Sequence, residues 1–81
     1  MKLIIVDVEK TIEHDVSWVE LNTPVGNMVI QEGHVPIIIE LQPEEELLFE
    51  TLEGKKDSLI ITQAVAHVTR SEVKILLPLA V

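Results

Sequence analysis

Breaks in the apolar pattern recur about every ten residues along this chain, a spacing that is typical of a β-sandwich or a barrel. The runs between the breaks are short and rich in Val and Ile, and several alternate apolar with polar residues. None holds a helical period over three turns, and short β-branched runs of this kind favour half-buried strands. The pattern therefore predicts an all-β fold, a small and mostly antiparallel β-sandwich of about eight to ten short strands.

Eight segments carry the strand pattern: 3–8, 16–23, one that begins at 28–30, 35–41, 46–52, 55–62, 64–69 and 73–79. Gln42-Pro43-Glu44 is predicted to be a turn with Pro at its second position, where the fixed φ of proline is favourable. Residues 43–52 also admit a helix, because Pro followed by three glutamates is typical of a helix start. Alternation along the strands predicts these inward positions: Val19, Leu21, Ile37, Ile39, Ile61, Val73 and Ile75.

Length and composition predict one domain over residues 1–81. Of the 81 residues 47% are apolar, which is enough for a core, although a chain of this size buries only about 60% of its unfolded surface. The sequence has no cysteine, so neither a disulfide nor a thiolate-bound metal is expected to stabilise it.

The charge balance is strongly acidic, with 14 Asp and Glu residues against 6 Lys and Arg residues and a formal net charge of −8. Such a chain repels phosphate backbones and anionic membranes, so nucleic acid is not an expected partner. A basic protein surface is a more suitable partner, although an acidic net charge also keeps a protein soluble. The opening apolar run is interrupted by Asp7 and Glu9 and is too short for a signal peptide or a membrane span. A cytoplasmic protein without membrane insertion is therefore expected.

The residues that catalysis would require do not occur in a recognisable pattern. His14, His34 and His67 are not spaced as zinc ligands, and no cysteine assists them. No serine lies in a nucleophile-elbow context, and the three glycines do not form a phosphate-binding loop. The Glu44–Glu46 run could bind a cation, but a solvated turn is the preferred explanation. We expect no enzyme, no cofactor and no metal site.

The stretch from Leu21 to Ile37 resembles a segment of rotary ATP synthase epsilon subunits, which reads Gly-x-apolar-Gly-apolar and then, after a short break, Gly or Asn, His-Ala-Pro and an apolar run. The positions that match are Gly26, Ile30, Gly33, His34 and Pro36. Residues 2–9, 41–43 and 72–76 resemble the first strand, the Leu-Lys-Pro turn and the last strand of the same N-terminal domain. The resemblance covers essentially the whole chain in order. It departs where this chain has Glu44 in place of a glycine, which predicts a different local φ or a looser turn.

The resemblance implies a β-sandwich that binds the gamma subunit of the central stalk and touches the polar loops of the membrane c-ring. It implies a non-catalytic part in ATP synthesis coupled to proton transport, at the membrane surface through the synthase complex. Family members continue into a C-terminal helical hairpin, whereas this sequence ends at Val81 where that hairpin would begin, so only the docking role is expected. We expect a ring-facing end built from Gly26, Asn27, Glu32, Gly33 and His34. Simple turn geometry is an open alternative for both glycines.

Two further side chains are candidate contacts. Trp18 alternates with Val19 and Leu21, so it is predicted on the outer face of its strand, as a lid over a sheet edge or as a partner contact. The last predicted strand is apolar on both faces: Ile75, Leu77 and Leu79 are expected inward, and Leu76, Pro78 and Ala80 outward. An outward apolar patch predicts a protein partner or a two-fold homodimer. A free-standing β-sandwich that binds other proteins or a ligand is the alternative function.

Overall fold

Eight strands and no helix form the part of the chain that the computed structural model describes, residues 1–78. In chain order the strands are β1 (Lys2–Val6), β2 (Thr11–Thr23), β3 (Gly26–Gln31), β4 (Ile37–Glu40), β5 (Glu45–Thr51), β6 (Lys56–Ile61), β7 (Val65–Val68) and β8 (Glu72–Leu76). The all-β prediction is confirmed. The helical alternative for residues 43–52 is wrong, because this segment is β5 and pairs with β6 along its length.

The strands follow one hydrogen-bonded path, β4-β7-β8-β1-β2-β5-β6, and β3 lies beside β2. The 13-residue strand β2 serves two sheets. Its residues 11–15 pair with β1, and its residues 16–23 pair with β3 and β5. A bulge between Val16 and Trp18 marks the change, since bulges bend a strand and allow it to pass from one sheet to another. The first sheet therefore contains β4, β7, β8, β1 and the start of β2, and the second sheet contains β3, the rest of β2, β5 and β6.

All strand pairs are antiparallel except β1 and β8, which pair in parallel with Lys2 beside Glu72 and Val6 beside Leu76. A parallel pair needs a long crossover, and here nearly the whole chain provides it. The first and last strands of the described chain thus lie side by side within the first sheet.

The core lies between the inward faces of the two sheets. The first sheet contributes residues such as Leu3 and Ile75, and the second contributes residues such as Val19 and Phe49, all of them buried. Of the predicted inward positions, Val19, Leu21, Ile61, Val73 and Ile75 are buried, and Ile37 and Ile39 pack against the core from its rim. The predicted alternation of buried and exposed residues is confirmed. It arises because the pleat of a strand turns successive side chains to opposite faces.

Strand bounds differ most from the predictions at two places. β2 begins at Thr11, five residues earlier than predicted. Its first residues are exposed or half-buried, so the sequence there shows no alternation of apolar and polar residues. β8 ends at Leu76, where the predicted strand ran to residue 79. The predicted orientations of Leu79 and Ala80 lie outside the described residues.

The turn before β5 contains a residue in the left-handed backbone conformation, and this residue is not a glycine. Glu44 has a φ of 61°, a conformation that non-glycine residues adopt uncommonly. Its amide donates a 2.8 Å hydrogen bond to the carbonyl of Ile61, which holds it against the end of β6. Glu44 therefore has the left-handed conformation that glycine adopts most easily. Because a glutamate adopts it less readily, the turn carries some backbone strain.

Candidate functional site

The two turns that the sequence groups into one end lie at opposite ends of β3. Gly26 and Asn27 begin this strand, and Glu32, Gly33 and His34 follow its last residue, Gln31. A six-residue strand separates its ends by about 17 Å, at roughly 3.4 Å per residue. The expectation that these five residues build one ring-facing end is therefore wrong, because a strand carries the chain from one end of a sheet to the other.

The first of these ends is the β2–β3 hairpin turn. The Thr23 hydroxyl donates a 2.7 Å hydrogen bond to the Gly26 carbonyl, and the Asn27 side-chain amide donates to Asn22 Oδ1 at 3.1 Å. Val25 at the tip is 89% exposed, which leaves an apolar side chain projecting into solvent. The turn is thus internally braced and presents its tip outward.

The second end is the loop of residues 32–36. The Gly33 amide donates to the Arg70 carbonyl at 2.7 Å, and Arg70 Nη1 donates to the Gly33 carbonyl at 3.3 Å. The amino group of Met1 lies 3.3 Å from Glu32 Oε2, and the His34 amide donates to the Gln31 carbonyl at 3.2 Å. These bonds join the loop to the β7–β8 turn and to the start of β1.

Backbone geometry alone explains the two glycines. Gly26 and Gly33 have φ values of 131° and 87°, which side-chain-bearing residues rarely adopt, and a Cβ at either site would meet open space. The turn-geometry alternative is therefore sufficient for these residues, and a partner contact at either turn would come from their neighbours' side chains and the exposed backbone.

Trp18 lies on the outer face of the second sheet, as predicted. It is half-buried, whereas its neighbours Val19 and Leu21 in the sequence alternation are fully buried. Directly opposite it are Gln31 on β3 and Glu50 on β5. Trp18 thus lies on the outer face of the sheet, level with the end of β3 at which the second loop begins.

Leu76 is 40% exposed on the outer face of the first sheet. The strand registers place Val65 and Val6 directly opposite it on either side, in a line that we call the outer apolar row. Ile38, on the same face, is 73% exposed and diagonal to Val65. The predicted outward apolar patch is confirmed for Leu76 and for Pro78, which is also exposed.

Two depressions on the described surface differ in size and openness. One holds about 10 Å³, close to the space of a single water, between Leu21, Leu41 and Leu47. Another, about 360 Å³, is an open apolar groove beside Ala64 and Leu77 with few polar groups to orient a ligand. Within residues 1–78 no three His, Asp or Glu side chains are grouped to hold a metal ion. The same residues contain no helix long and apolar enough to cross a membrane.

The histidines are dispersed over separate elements. The His14 ring lies 4.8 Å from the Phe49 ring between centroids, at an interplanar angle of 33°, so it packs on the core. His34 Nδ1 is 2.7 Å from the Val35 carbonyl, and His67 is exposed on β7. Ring packing accounts for His14 and a local hydrogen bond accounts for His34.

One exposed ion pair links β1 and β2. Lys2 Nζ lies 3.1 Å from Asp15 Oδ1. The hydrogen bond to Asp15 raises the pKa of Lys2 above its ordinary value of 10.5, and the charge of Asp15 adds to this effect. The two residues are directly opposite each other in the β1–β2 register.

The family model of the ATP synthase delta/epsilon chain β-sandwich domain matches residues 1–81. The chain belongs to this family. Among solved structures, this delta/epsilon β-sandwich is similar to a chain of the Euglena gracilis mitochondrial ATP synthase (OSCP/F1/c-ring, rotational state 1), with a TM-score of 0.84 and 28% identity over 93% of this chain and 48% of that chain. It also shares its fold with a chain of the Tetrahymena thermophila mitochondrial ATP synthase (central stalk and c-ring), with a TM-score of 0.73 and 15% identity over 94% of this chain and 63% of that chain.

This delta/epsilon domain therefore spans about half the length of the Euglena chain and under two thirds of the Tetrahymena chain. No curated protein matches it. The resemblance recognised in the sequence is confirmed at the level of the family.

Sequence reasoning missed two features of this delta/epsilon domain. Arg70, the residue that holds the loop after β3, lies 37 positions from Gly33, and a lone arginine in a turn carries no signal of its target. Glu20 and Glu50, which flank Trp18 on the sheet, are 30 positions apart, and only the register of β2 with β5 brings them together.

Proposed function

We propose that this chain is a non-catalytic component of the rotor stalk of a proton-translocating ATP synthase, and that it docks on other subunits. The observation that carries the proposal is the match of the family model to residues 1–81. Both similar chains belong to assemblies described as containing a c-ring, which supports the same assignment. A position at the membrane surface, reached through the complex, is part of the proposal.

Docking on two partners accords with the separation of the turns along β3. The hairpin tip at Val25–Asn27 is one contact, and the loop at Glu32–His34 is the other, about 17 Å away along the strand. We assign one of them to a gamma-like stalk subunit and the other to the polar loops of the ring. A rigid sandwich between two such contacts transmits force from one partner to the other, because its core is closely packed.

Binding of purified chain to a gamma-like subunit and to an isolated c-ring tests this proposal. Asn27→Ala with Val25→Ser alters the hairpin tip, and Glu32→Ala with His34→Ala alters the loop. We expect each pair of substitutions to weaken binding to one partner by about tenfold or more and to leave the other unchanged. Absence of binding to both partners would contradict the proposal and favour a free-standing protein-interaction module.

The outer apolar row supports a further protein contact on the first sheet. Leu76 is 40% exposed and Ile38 is 73% exposed, on a face that has no covering element within residues 1–78. We assign this row to a subunit of the complex. Leu76→Glu should then weaken binding to that subunit and leave thermal stability nearly unchanged. Concentration-dependent sedimentation that Leu76→Glu abolishes would instead identify a second copy of the chain as the occupant.

A further inference from the structure

On the outer face of the second sheet, one indole has two carboxylates as neighbours, one across the strand pair and one along its own strand. Trp18 and Glu50 are directly opposite each other on β2 and β5. Glu20 lies on the same face of β2, two residues from Trp18 and opposite Leu48. Opposed residues have Cα atoms about 5 Å apart, and residues two apart on a strand or diagonal across it are separated by about 7 Å. One planar cation can therefore touch all three side chains.

Neither carboxylate takes part in an ion pair of the described chain. The ion pairs of residues 1–78 join Met1 to Glu32 and Lys2 to Asp15. Lys56, which the register places opposite Glu50, does not reach it within salt-bridge distance. Glu20 and Glu50 are both half-buried, so water screens them less than it screens a fully exposed side chain.

Two apolar side chains lie one row from Trp18, on either side of Glu20. Val29 is 49% exposed on β3, and Leu48 is half-buried on β5, both one row away from Trp18 on the same face. An aromatic ring with a few aliphatic neighbours and a surrounding of polar groups is the arrangement found at the centre of protein interfaces. We call Trp18, Glu20, Val29, Leu48 and Glu50 the Trp18 face.

We propose that the Trp18 face binds an arginine side chain presented by a basic surface of a partner protein. A guanidinium can stack on the indole plane and donate hydrogen bonds in its own plane to the two neighbouring carboxylates. A lysine ammonium matches this geometry less well, because it is a compact charge without a planar fork. The formal net charge of −8 favours approach of a basic protein and opposes approach of a nucleic acid or an anionic membrane.

This inference gives the chemistry of one contact of the proposed docking protein, and it rests on that function. It adds a fourth surface to the two turns at the ends of β3 and the outer apolar row, and Trp18 lies opposite Gln31, the residue that precedes the second turn. The proposed stalk role could be correct while this face stays empty, so the two proposals need separate tests.

A synthetic helical peptide with arginines along one face, titrated into the intact chain at low salt, tests the inference. Trp18 is the only tryptophan, so its fluorescence reports stacking at this site alone. We expect binding to change the Trp18 emission, and we expect the same peptide with citrulline in place of arginine not to bind. A lysine version should bind more weakly than the arginine version.

Matched glutamate variants separate the site from the general charge. Glu20→Gln and Glu50→Gln should each lower the affinity for the arginine peptide by about two- to fivefold, the ordinary strength of an exposed or partly exposed ion pair. Glu13→Gln removes the same charge from the outer face of the first sheet and should change the affinity by less than about 1.5-fold, because salt and distance screen it. Amide spectra of all three variants verify that the fold is intact.

The inference is overturned if the citrulline peptide binds as well as the arginine peptide, if Glu13→Gln weakens binding as much as Glu20→Gln, or if no binding occurs. Binding of a stalk subunit with unchanged affinity by the Glu20→Gln, Glu50→Gln double variant would also overturn it, and would leave the stalk role intact. If the chain binds the arginine peptide on this face but binds neither the gamma-like subunit nor the ring, the arginine site is supported and the stalk role is refuted.

Discussion

Gly33 and Arg70 are joined by two hydrogen bonds in opposite directions, one through the backbone and one through the arginine side chain. The Gly33 amide donates to the Arg70 carbonyl at 2.7 Å, and Arg70 Nη1 donates to the Gly33 carbonyl at 3.3 Å. This double link ties the loop after β3 to the β7–β8 turn, so the shape of a proposed partner contact depends on a residue 37 positions away.

Replacement of Arg70 by alanine removes only the longer of the two bonds. Because the arginine side chain is exposed, we expect Arg70→Ala to lower the free energy of unfolding by less than about 1 kcal/mol. The loop itself should become more mobile, which faster hydrogen exchange of the His34 amide would reveal. Arg70→Lys keeps a hydrogen-bond donor, so its stability and its His34 exchange rate should lie between those of the natural chain and of Arg70→Ala. A loss above about 2 kcal/mol would show that the side chain does more than hold the loop.

Replacement of Glu44 by glycine should stabilise the protein. The φ of 61° costs a non-glycine residue about 1 kcal/mol, and glycine adopts it freely, although its flexible unfolded state offsets part of the gain. We expect a net gain of about 0.5 kcal/mol in urea denaturation. Glu45→Gly is the matched control, since Glu45 lies in β5 and glycine weakens a strand. Equal effects of the two substitutions would argue against strain at Glu44.

Truncation of Phe49 should come close to unfolding the domain. The side chain is 1% exposed and contacts the His14 ring, so Phe49→Ala leaves a large cavity and is expected to cost about 3–5 kcal/mol. Small domains have only about 0.05–0.15 kcal/mol of stability per residue, so this is a large share of the total. Phe49→Leu should cost clearly less. Chemical denaturation followed by circular dichroism measures both.

The ion pair of Lys2 with Asp15 predicts a small loss of stability at high pH. The pKa of Lys2 is higher in the folded than in the unfolded protein, so its contribution is complete below pH 10.5 and disappears as the pH rises through the folded-state pKa. Thermal unfolding at pH 8 and above pH 11 should therefore show a larger decrease in Tm for the natural chain than for Lys2→Met. Asp15→Asn should resemble Lys2→Met. An identical decrease in all three would contradict a role of this pair.

The sequence alone determined which residues point inward. Alternation around Val19 and Leu21 identified the buried face of β2, because the pleat turns every second side chain to the same side whatever the strand pairs with. The same reasoning placed Trp18 outward, and the ordered motif from Gly26 to Pro36 identified the family. These signals are local, so a single sequence contains them.

The tertiary structure decided everything that depends on which strands are neighbours. Residues 11–15 form a strand only because β1 pairs with them, and since none of them needs to be buried, they show no alternation. The turns at Gly26 and Gly33 look adjacent in the sequence, yet β3 carries them to opposite ends of the sheet. Glu50 becomes a neighbour of Trp18 and Glu20 only through the register of β2 with β5. Pairing between distant segments depends on the packing of the whole core, and no short stretch of sequence encodes it.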